Sequence, residues 1–224
     1  MAINYNPRII TDGLVLYLDA GNIKSYPGSG TTWIDLVSQK NNTINGAIYD
    51  EDNIGSISFD GVDDSSSIGS LGLTGFTGFT VNVWFYSNLS SHMSLVRSLS
   101  VGNAFILHYR GAGFYLTADD STVSGYLGWQ TFPTANQWNM LTGTWDGTTM
   151  KLYQNGIKQS NELSFNGGIN GALADINTVQ VGYYFNPSQP WTNGKIASLN
   201  LYNKALSIDE IKLNLEATRG RFGV

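Results

Sequence analysis

The feature that most constrains this chain is a two-residue alternation of side-chain character. In residues 79–86, Phe and Val occupy the odd positions, while Thr, Asn, Trp and Tyr occupy the even ones. Successive side chains of a β-strand point to opposite faces, so this pattern predicts a strand with two unlike faces. Similar short runs occur at residues 14–19, 56–59, 93–99, 104–109, 113–117, 138–145, 150–154, 179–185 and 195–202.

Turn signals separate most of these runs. The pairs Asp146-Gly147 and Asn155-Gly156 suit the positive φ angles of tight hairpin turns. Residues 138–159 are therefore predicted to form three antiparallel strands joined by two hairpins. Many short strands at this spacing predict a sandwich, a jelly roll or a barrel.

A capping-box pattern near the C-terminus predicts the one helix. The Ser207 hydroxyl can accept from the backbone N–H of Glu210, whose side chain reaches back. Ile208, Ile211 and Leu215 then form an apolar stripe that should dock on the sheets. We expect one domain over residues 1–224, with residues 1–10 as an N-terminal arm and residues 218–224 as a loose or partner-bound C-terminal tail.

Charge and composition exclude several classes of protein. The 224 residues carry 12 basic and 17 acidic side chains, and no cluster of Lys or Arg, so nucleic-acid binding is not expected. No apolar run approaches the roughly 20 residues that cross a bilayer, so membrane insertion is not expected, and no signal peptide is visible. The absence of cysteine excludes disulfides and thiolate chemistry.

Three segments together resemble the laminin-G-like members of the concanavalin A-like lectin/glucanase superfamily. They are SISFDGVDD with FTVNVWFY (residues 56–64 and 79–86), WNMLTGTWDGTTMKLYQNGIK (residues 138–158) and GKIASLNLYNKALSIDEI (residues 194–211). The resemblance implies an all-β fold: a two-sheet antiparallel jelly-roll sandwich with one short C-terminal helix.

A narrower resemblance lies near the start of the chain. Residues 12–36, DGLVLYLDAGNIKSYPGSGTTWIDL, are similar to the opening of laminin-G-like proteins of tailed bacteriophages, particularly virion structural or adhesion proteins. This implies a protein made in the host cytoplasm and located in the virion. Its partners would be other virion proteins, bound through the arm or the tail, and a homo-oligomer is compatible with the sequence.

Because the superfamily includes glucanases, we compared the acidic residues of this sequence with the catalytic pattern of a glycoside hydrolase. The glucanase branch places two Glu around an Asp on one strand, whereas no two of Glu51, Glu162, Glu210 and Glu216 share a predicted strand. Asp63 and Asp64 could replace such a pair in principle, but as adjacent strand residues they are expected to point to opposite faces. The two histidines, His92 and His108, fit no catalytic motif. We therefore predict no catalytic residues and a protein that is not an enzyme.

Calcium is the one cofactor that the sequence suggests. Hard cations take oxygen ligands, and laminin-G-like relatives frequently hold calcium at a loop rim. The resemblance makes Asp60, Asp63, Asp64 and Asp146 candidate ligands. Asp before Gly is also ordinary turn chemistry, in which the carboxylate bonds backbone N–H groups. Both interpretations stay open at this stage.

Sugar binding depends on aromatic faces and neutral polar groups. Trp191 is the first candidate because it lies in a polar loop. Weaker candidates are Tyr183, Tyr184, Trp129 and Tyr126. Trp191 could equally fold back on its own domain or be buried by a neighbouring subunit.

Two functional hypotheses follow. The first is a non-enzymatic virion structural or decoration protein of a tailed bacteriophage, displaying a lectin-like knob that adheres to surface glycans. The second is a carbohydrate-binding module or a receptor-binding adhesin of a tail or fibre. A glycoside hydrolase is a distant third.

Overall fold

A computed structural model describes residues 8–69, 71–90, 93–99, 104–110, 113–117, 124–166, 171–183 and 191–224. Within these ranges the chain forms sixteen β-strands, one α-helix and two short 3₁₀ turns. The strands and the helix are β1 (Leu14–Asp19), β2 (Thr32–Ile34), β3 (Asn41–Asn45), β4 (Ile48–Asp50), β5 (Ser56–Asp60), β6 (Ser65–Ile68), β7 (Phe79–Ser87), β8 (Met93–Leu99), β9 (Phe105–Tyr109), β10 (Phe114–Thr117), β11 (Ser124–Leu127), β12 (Gln137–Trp145), β13 (Thr149–Gln154), β14 (Ile157–Ser164), β15 (Thr178–Val181), β16 (Asn193–Tyr202) and α1 (Ile208–Thr218).

The strands form two antiparallel sheets, which confirms the predicted all-β sandwich. Sheet A has the order β14-β13-β12-β7-β16-β5-β4, and sheet B has the order β11-β10-β9-β8-β15-β6-β3-β2. In sheet A, β5 pairs with the first half of β16 and β1 pairs with its second half. Neighbouring strands are often far apart in sequence, as in a jelly roll.

The alternation in β7 has the predicted two faces, and both are buried. Phe79, Val81, Val83 and Phe85 enter the core between the sheets. Trp84, on the opposite face, belongs to a second apolar cluster beneath α1. Strand β7 lies in the middle of sheet A, and both of its faces are covered. Sheet B covers the inner face, and α1 covers the outer face.

The two predicted hairpins are confirmed. Strands β12, β13 and β14 pair in sequence, and the turns between them fall at Asp146-Gly147 and Asn155-Gly156. Asn155, Gly147 and Gly156 all have positive φ angles, as such turns require. Five strands that the alternation did not predict, β2, β3, β4, β6 and β11, contain three to five residues each. Such short, largely polar segments carry too little periodicity to detect.

The capping box of α1 is confirmed, but its apolar stripe is corrected. The Ser207 hydroxyl accepts from Glu210 N, and the Glu210 carboxylate accepts from Ser207 N. Ile211 is buried as predicted, whereas Ile208 is 37% exposed and Asn214 is buried instead. Asn214 is tolerated there because its amide donates to Tyr202 Oη and accepts from Ile10 N. Among the described helices, none has the length and apolar content to span a bilayer.

The expectation of a loose C-terminal tail is also corrected. After α1 the chain makes a 3₁₀ turn at Arg219–Arg221, and Phe222 is buried against the outer face of sheet A. The guanidinium of Arg221 pairs with Asp19 at 2.6 Å and also donates to the carbonyl of Gly55. Apolar burial and a partly buried ion pair thus hold the tail on its own domain. Residues 1–7 of the arm lie outside the described residues.

Candidate functional site

Three aspartates gather at one end of the sandwich. Asp60 ends β5, and Asp63 and Asp64 follow in the loop that leads to β6. One carboxylate oxygen from each lies within 4.8 Å of the others. The loop is held by two hydrogen bonds, because Asp60 N donates to Asp64 Oδ2 at 2.9 Å and Val62 N donates to Asp60 Oδ1 at 2.8 Å.

The expectation that Asp63 and Asp64 point to opposite faces is therefore corrected. Neither residue lies in a strand, so the turn rather than the pleat directs their side chains. Burial raises the pKa of Asp64, and the negative charges of Asp60 and Asp63 raise it further, while the hydrogen bond from Asp60 N opposes the rise. The three carboxylates repel one another, and a cation would relieve this repulsion.

The spacing of the three carboxylates is compatible with shared coordination of one calcium ion. Calcium takes oxygen ligands at about 2.3–2.6 Å, so two oxygens on one ion lie at most about 5 Å apart. The three oxygens here satisfy that limit. Asp60, Asp63 and Asp64 would hold the ion, which would supply positive charge at this end of the sandwich. Gly46 permits the arrangement, because a Cβ at that position would clash with Asp64 Oδ1.

Asp146, the fourth predicted ligand, lies at the other end of the sandwich. Strand β16 runs from Asn193, beside Asp60, to Tyr202, beside Thr80 at the start of β7, next to the end of β12. Ten residues of strand place the two ends about 30 Å apart. Asp146 therefore cannot share an ion with the other three aspartates.

The contacts of Asp146 are those of a turn residue. Its Oδ1 accepts from Thr148 N, the Thr148 hydroxyl and Thr149 N, and its Oδ2 lies 3.1 Å from Lys151 Nζ. Burial acts to raise the pKa of Asp146, but the Thr148 and Lys151 hydrogen bonds outweigh it and lower the pKa. The ordinary turn interpretation holds for this residue.

Trp191 is near the acid cluster and packs on a second aromatic ring. The rings of Trp191 and Tyr183 meet edge to face, with centroids 4.7 Å apart. Two links join them to the cluster: Asn193 Nδ2 donates to the Asp60 carbonyl at 2.9 Å, and Thr192 N donates to the carbonyl of Gly182 at 3.1 Å. Gly182 itself packs against the Asp64 backbone and Phe59.

We call the five residues Asp60, Asp63, Asp64, Tyr183 and Trp191 the rim. Trp191 is partly exposed, so one aromatic surface remains accessible beside three carboxylates. The guanidinium of Arg97, a residue buried on β8, lies 5.8 Å from the centre of the Tyr183 ring. Tyr184, another predicted sugar contact, lies outside the described residues.

The other two predicted aromatic contacts differ sharply. Trp129 is 5% exposed, and its indole N–H donates to the His108 carbonyl at 3.0 Å, so its role as a sugar contact is corrected: it is part of the core. Tyr126 lies on β11 rather than in a loop and is 62% exposed. Its ring packs on Tyr115, with centroids 4.5 Å apart.

The register of sheet B connects Tyr126 to the rim. Tyr126 pairs with Tyr115, Tyr115 with Ile106, and Ile106 with Arg97, which lies beneath Tyr183. This row lies on the outer face and spans three strand spacings, about 14 Å. Neither Tyr115 nor Arg97 was predicted as a site residue from the sequence. Two signals could have indicated them: the alternation in residues 113–117 for Tyr115, and the presence of a single cation in an apolar strand for Arg97.

The glutamates of the described chain are dispersed rather than paired with one another. Glu162 pairs with Lys158, Glu210 with Lys204 and the helix cap, and Glu216 with Arg219. Glu51 is exposed in a loop. In the aspartate cluster, Asp64 is 7% exposed and its carboxylate holds the loop backbone, so it offers little access to a glycosidic oxygen.

The fold and the rim together define a lectin-like jelly-roll domain. Its sequence matches a laminin-G family model, described as the concanavalin A-like lectin/glucanases superfamily, over residues 59–212. The chain therefore belongs to that superfamily. No curated protein sequence matches it.

Solved structures share the fold at low sequence identity. The binding domain of botulinum neurotoxin serotype G superposes with a TM-score of 0.66 at 14% identity, over 90% of this chain and 50% of that one. A Trypanosoma rangeli sialidase in complex with sialic acid gives 0.67 at 13% identity, over 99% and 37%. Domain 4 of AbnA, a GH43 extracellular arabinanase from Geobacillus stearothermophilus in complex with arabinotriose, gives 0.66 at 16% identity, over 91% and 98%. This chain thus spans half or less of the toxin domain and the sialidase, and nearly all of the arabinanase domain.

Proposed function

We propose that this chain is a non-catalytic domain that binds glycans at the rim. The observation that carries the proposal is the Trp191–Tyr183 aromatic pair beside the Asp60, Asp63 and Asp64 carboxylates. The C–H bonds of a sugar ring pack on an aromatic face, and its hydroxyls require polar partners close by. The rim offers both within one loop cluster.

Two of the structural neighbours support this choice of ligand class. One neighbour is a sialidase with sialic acid, and another is an arabinanase domain with arabinotriose. At these identities the likeness concerns the fold, so the choice of sugar for this chain is open to experiment. Calcium at the aspartates would hold the loop and offer a positive charge to hydroxyl oxygens.

We further propose that the domain is displayed on the virion of a tailed bacteriophage, as a structural or decoration protein. The support is the resemblance of residues 12–36 to the opening of such proteins. Many copies on one particle would raise avidity by orders of magnitude even where a single site is weak. Because the C-terminal tail is docked on its own domain, and Ile10 N donates to Asn214, the part of the arm before Ile10 is the better candidate for attachment to other virion proteins.

The glycan proposal is tested with a glycan array, followed by calorimetric titration of the best sugar. Trp191→Ala should reduce affinity about tenfold or more, whereas Trp191→Phe, which keeps an aromatic face, should retain most of it. Tyr126→Ala tests whether the opposite end of the sheet B row also contacts the sugar, or whether the rim alone does. Silence on the array, together with unchanged adsorption by the Trp191→Ala variant, would remove the lectin interpretation.

The location is tested by mass spectrometry and immunogold labelling of purified particles. A virion protein is expected in stoichiometric amount, and the labelled position distinguishes head decoration from a tail or fibre adhesin. If the protein is absent from particles that contain their other structural proteins, the virion proposal is wrong. The carbohydrate-binding module then remains as the proposed function.

A further inference from the structure

A second cavity lies at the opposite edge of sheet A from the acid cluster, level with the middle of β7 and β16 rather than with the end that carries Asp60. It has a volume of about 420 Å³ and lies between the β13–β14 hairpin and residues 130–131. Three strands, β12, β7 and β16, separate β13 from β5. Four strand spacings place the cavity about 19 Å from Asp60 across the sheet.

The lining of this cavity is dominated by amides and hydroxyls. Its residues are Gln130, Thr131, Gln154, Asn155, Ile157, Lys158, Gln159 and Ser160. The one cation among them, Lys158, pairs with Glu162, so the cavity carries no net charge. Ile157 is largely exposed and adds an apolar surface at the mouth.

Gln159 shows that the cavity is preorganised. This side chain is 7% exposed, and its Oε1 accepts from both Gln130 N at 3.2 Å and Thr131 N at 2.8 Å. Its Nε2 donates to no group among the described residues, and Gln159 is one of the residues that line the cavity. A nearly buried amide therefore presents an unused donor to whatever fills the space.

Neighbouring side chains are held in the same way. Ser160 Oγ donates to Gln130 Oε1 at 3.2 Å, which leaves the Gln130 amide nitrogen without a partner within the described ranges. Gln154 Nε2 donates to Asn139 Oδ1 at 2.8 Å, which fixes that amide and leaves its Oε1 as an acceptor. The wall of a cavity without net charge thus offers both hydrogen-bond donors and acceptors.

From this arrangement we propose a second binding site, which takes a neutral saccharide and acts independently of the rim. Neutral hydroxyls both donate and accept, as the amides of Gln130, Gln154 and Gln159 require, whereas an ionic ligand would find no opposite charge. The volume suits a mono- or disaccharide unit.

The test is an NMR titration of the ¹⁵N-labelled full chain in the presence of a chelator, with maltotriose, cellotriose and arabinotriose as probes. The amide signals of residues 130 and 131 report directly, because both N–H groups donate to Gln159. At least one trisaccharide should shift these signals with a saturable dependence. Glycerol, a small polyol without a ring, should shift them far less.

Variants complete the test. Gln159→Ala should weaken the affinity about tenfold or more, and Gln130→Ala, which leaves the loop anchor intact, should weaken it several-fold. Gln137→Ala, an exposed glutamine outside the cavity, is the matched control and should leave affinity unchanged. Trp191→Ala should also leave it unchanged, so failure of the rim and failure of this site are distinguishable. No saturable shift with any of the three trisaccharides, or an equal response to glycerol, would overturn the proposal.

Discussion

Phe222 stacks on the indole of Trp84, with ring centroids 4.2 Å apart and an interplanar angle of 27°. Phe222 also contacts Trp138, at a centroid distance of 4.7 Å. The tail thereby closes the outer face of sheet A, where α1 packs. The charged residues of this segment suggested a free tail. Its Phe222 is instead part of the second apolar cluster.

We expect Phe222→Ala to lower the free energy of unfolding by about 3 kcal/mol, because it removes a buried ring and leaves a cavity against two tryptophans. Urea unfolding followed by tryptophan fluorescence measures the change. Val224→Ala, two residues further along and partly exposed, should change the midpoint little. Equal midpoints for wild type and Phe222→Ala would mean that the tail is not docked in solution.

Asp146→Asn should destabilise the protein at neutral pH by at most about 1 kcal/mol, because the Lys151 pair is partly exposed and screened. The pKa of Asp146 is lowered in the folded state, so its stabilisation is present above the ordinary pKa of aspartate, about 3.9, and is lost as the pH falls through the folded value. The difference between variant and wild type should therefore shrink in acid. Thermal unfolding from pH 7 to pH 3 checks this, with Glu51→Gln as the control. A difference that grows in acid would contradict the assignment.

Calcium should raise the melting temperature of the wild-type protein relative to a chelator. At a hundredfold excess over the dissociation constant, a bound ion stabilises the folded state by about 2.7 kcal/mol. Asp63→Asn, which removes one carboxylate of the cluster, should reduce this shift strongly, while Asp146→Asn should leave it intact. Scanning calorimetry with calcium and with chelator provides the comparison. Identical melting temperatures in the two conditions would exclude a structural calcium site.

Gly143→Val should destabilise the fold by about 1–3 kcal/mol, because the core has no room for the added side chain. A Cβ at residue 143 would lie 2.8 Å from atoms of the Phe114 ring, where sheet A faces sheet B. Gly220→Ala is the matched control, since no atom lies within 4 Å of a Cβ there. Chemical denaturation of both variants gives the comparison. Equal stability for Gly143→Val and wild type would show that the two sheets are packed less closely than described.

Local patterns predicted those parts of the fold that local forces decide. The alternation in residues 79–86, the Asp-Gly and Asn-Gly turns and the Ser207–Glu210 capping box each act over a few residues, and each is confirmed. Strands β3 and β6 are different, because their polar residues become strands through pairing with each other and with β15. Neither segment contains a sequence signal that identifies the strand with which it pairs.

The same distinction between local and long-range forces applies to the candidate site. The sequence by itself determined that oxygen ligands and aromatic rings are available and that the glutamates do not follow the glucanase spacing. Tertiary structure alone decided that Asp60, Asp63 and Asp64 meet while Asp146 lies a strand's length away, and that Trp191 stays partly exposed while Trp129 is buried. The reason is physical: residue type sets which contacts a side chain can make, whereas strand pairing between distant segments sets which side chains come within reach of one another.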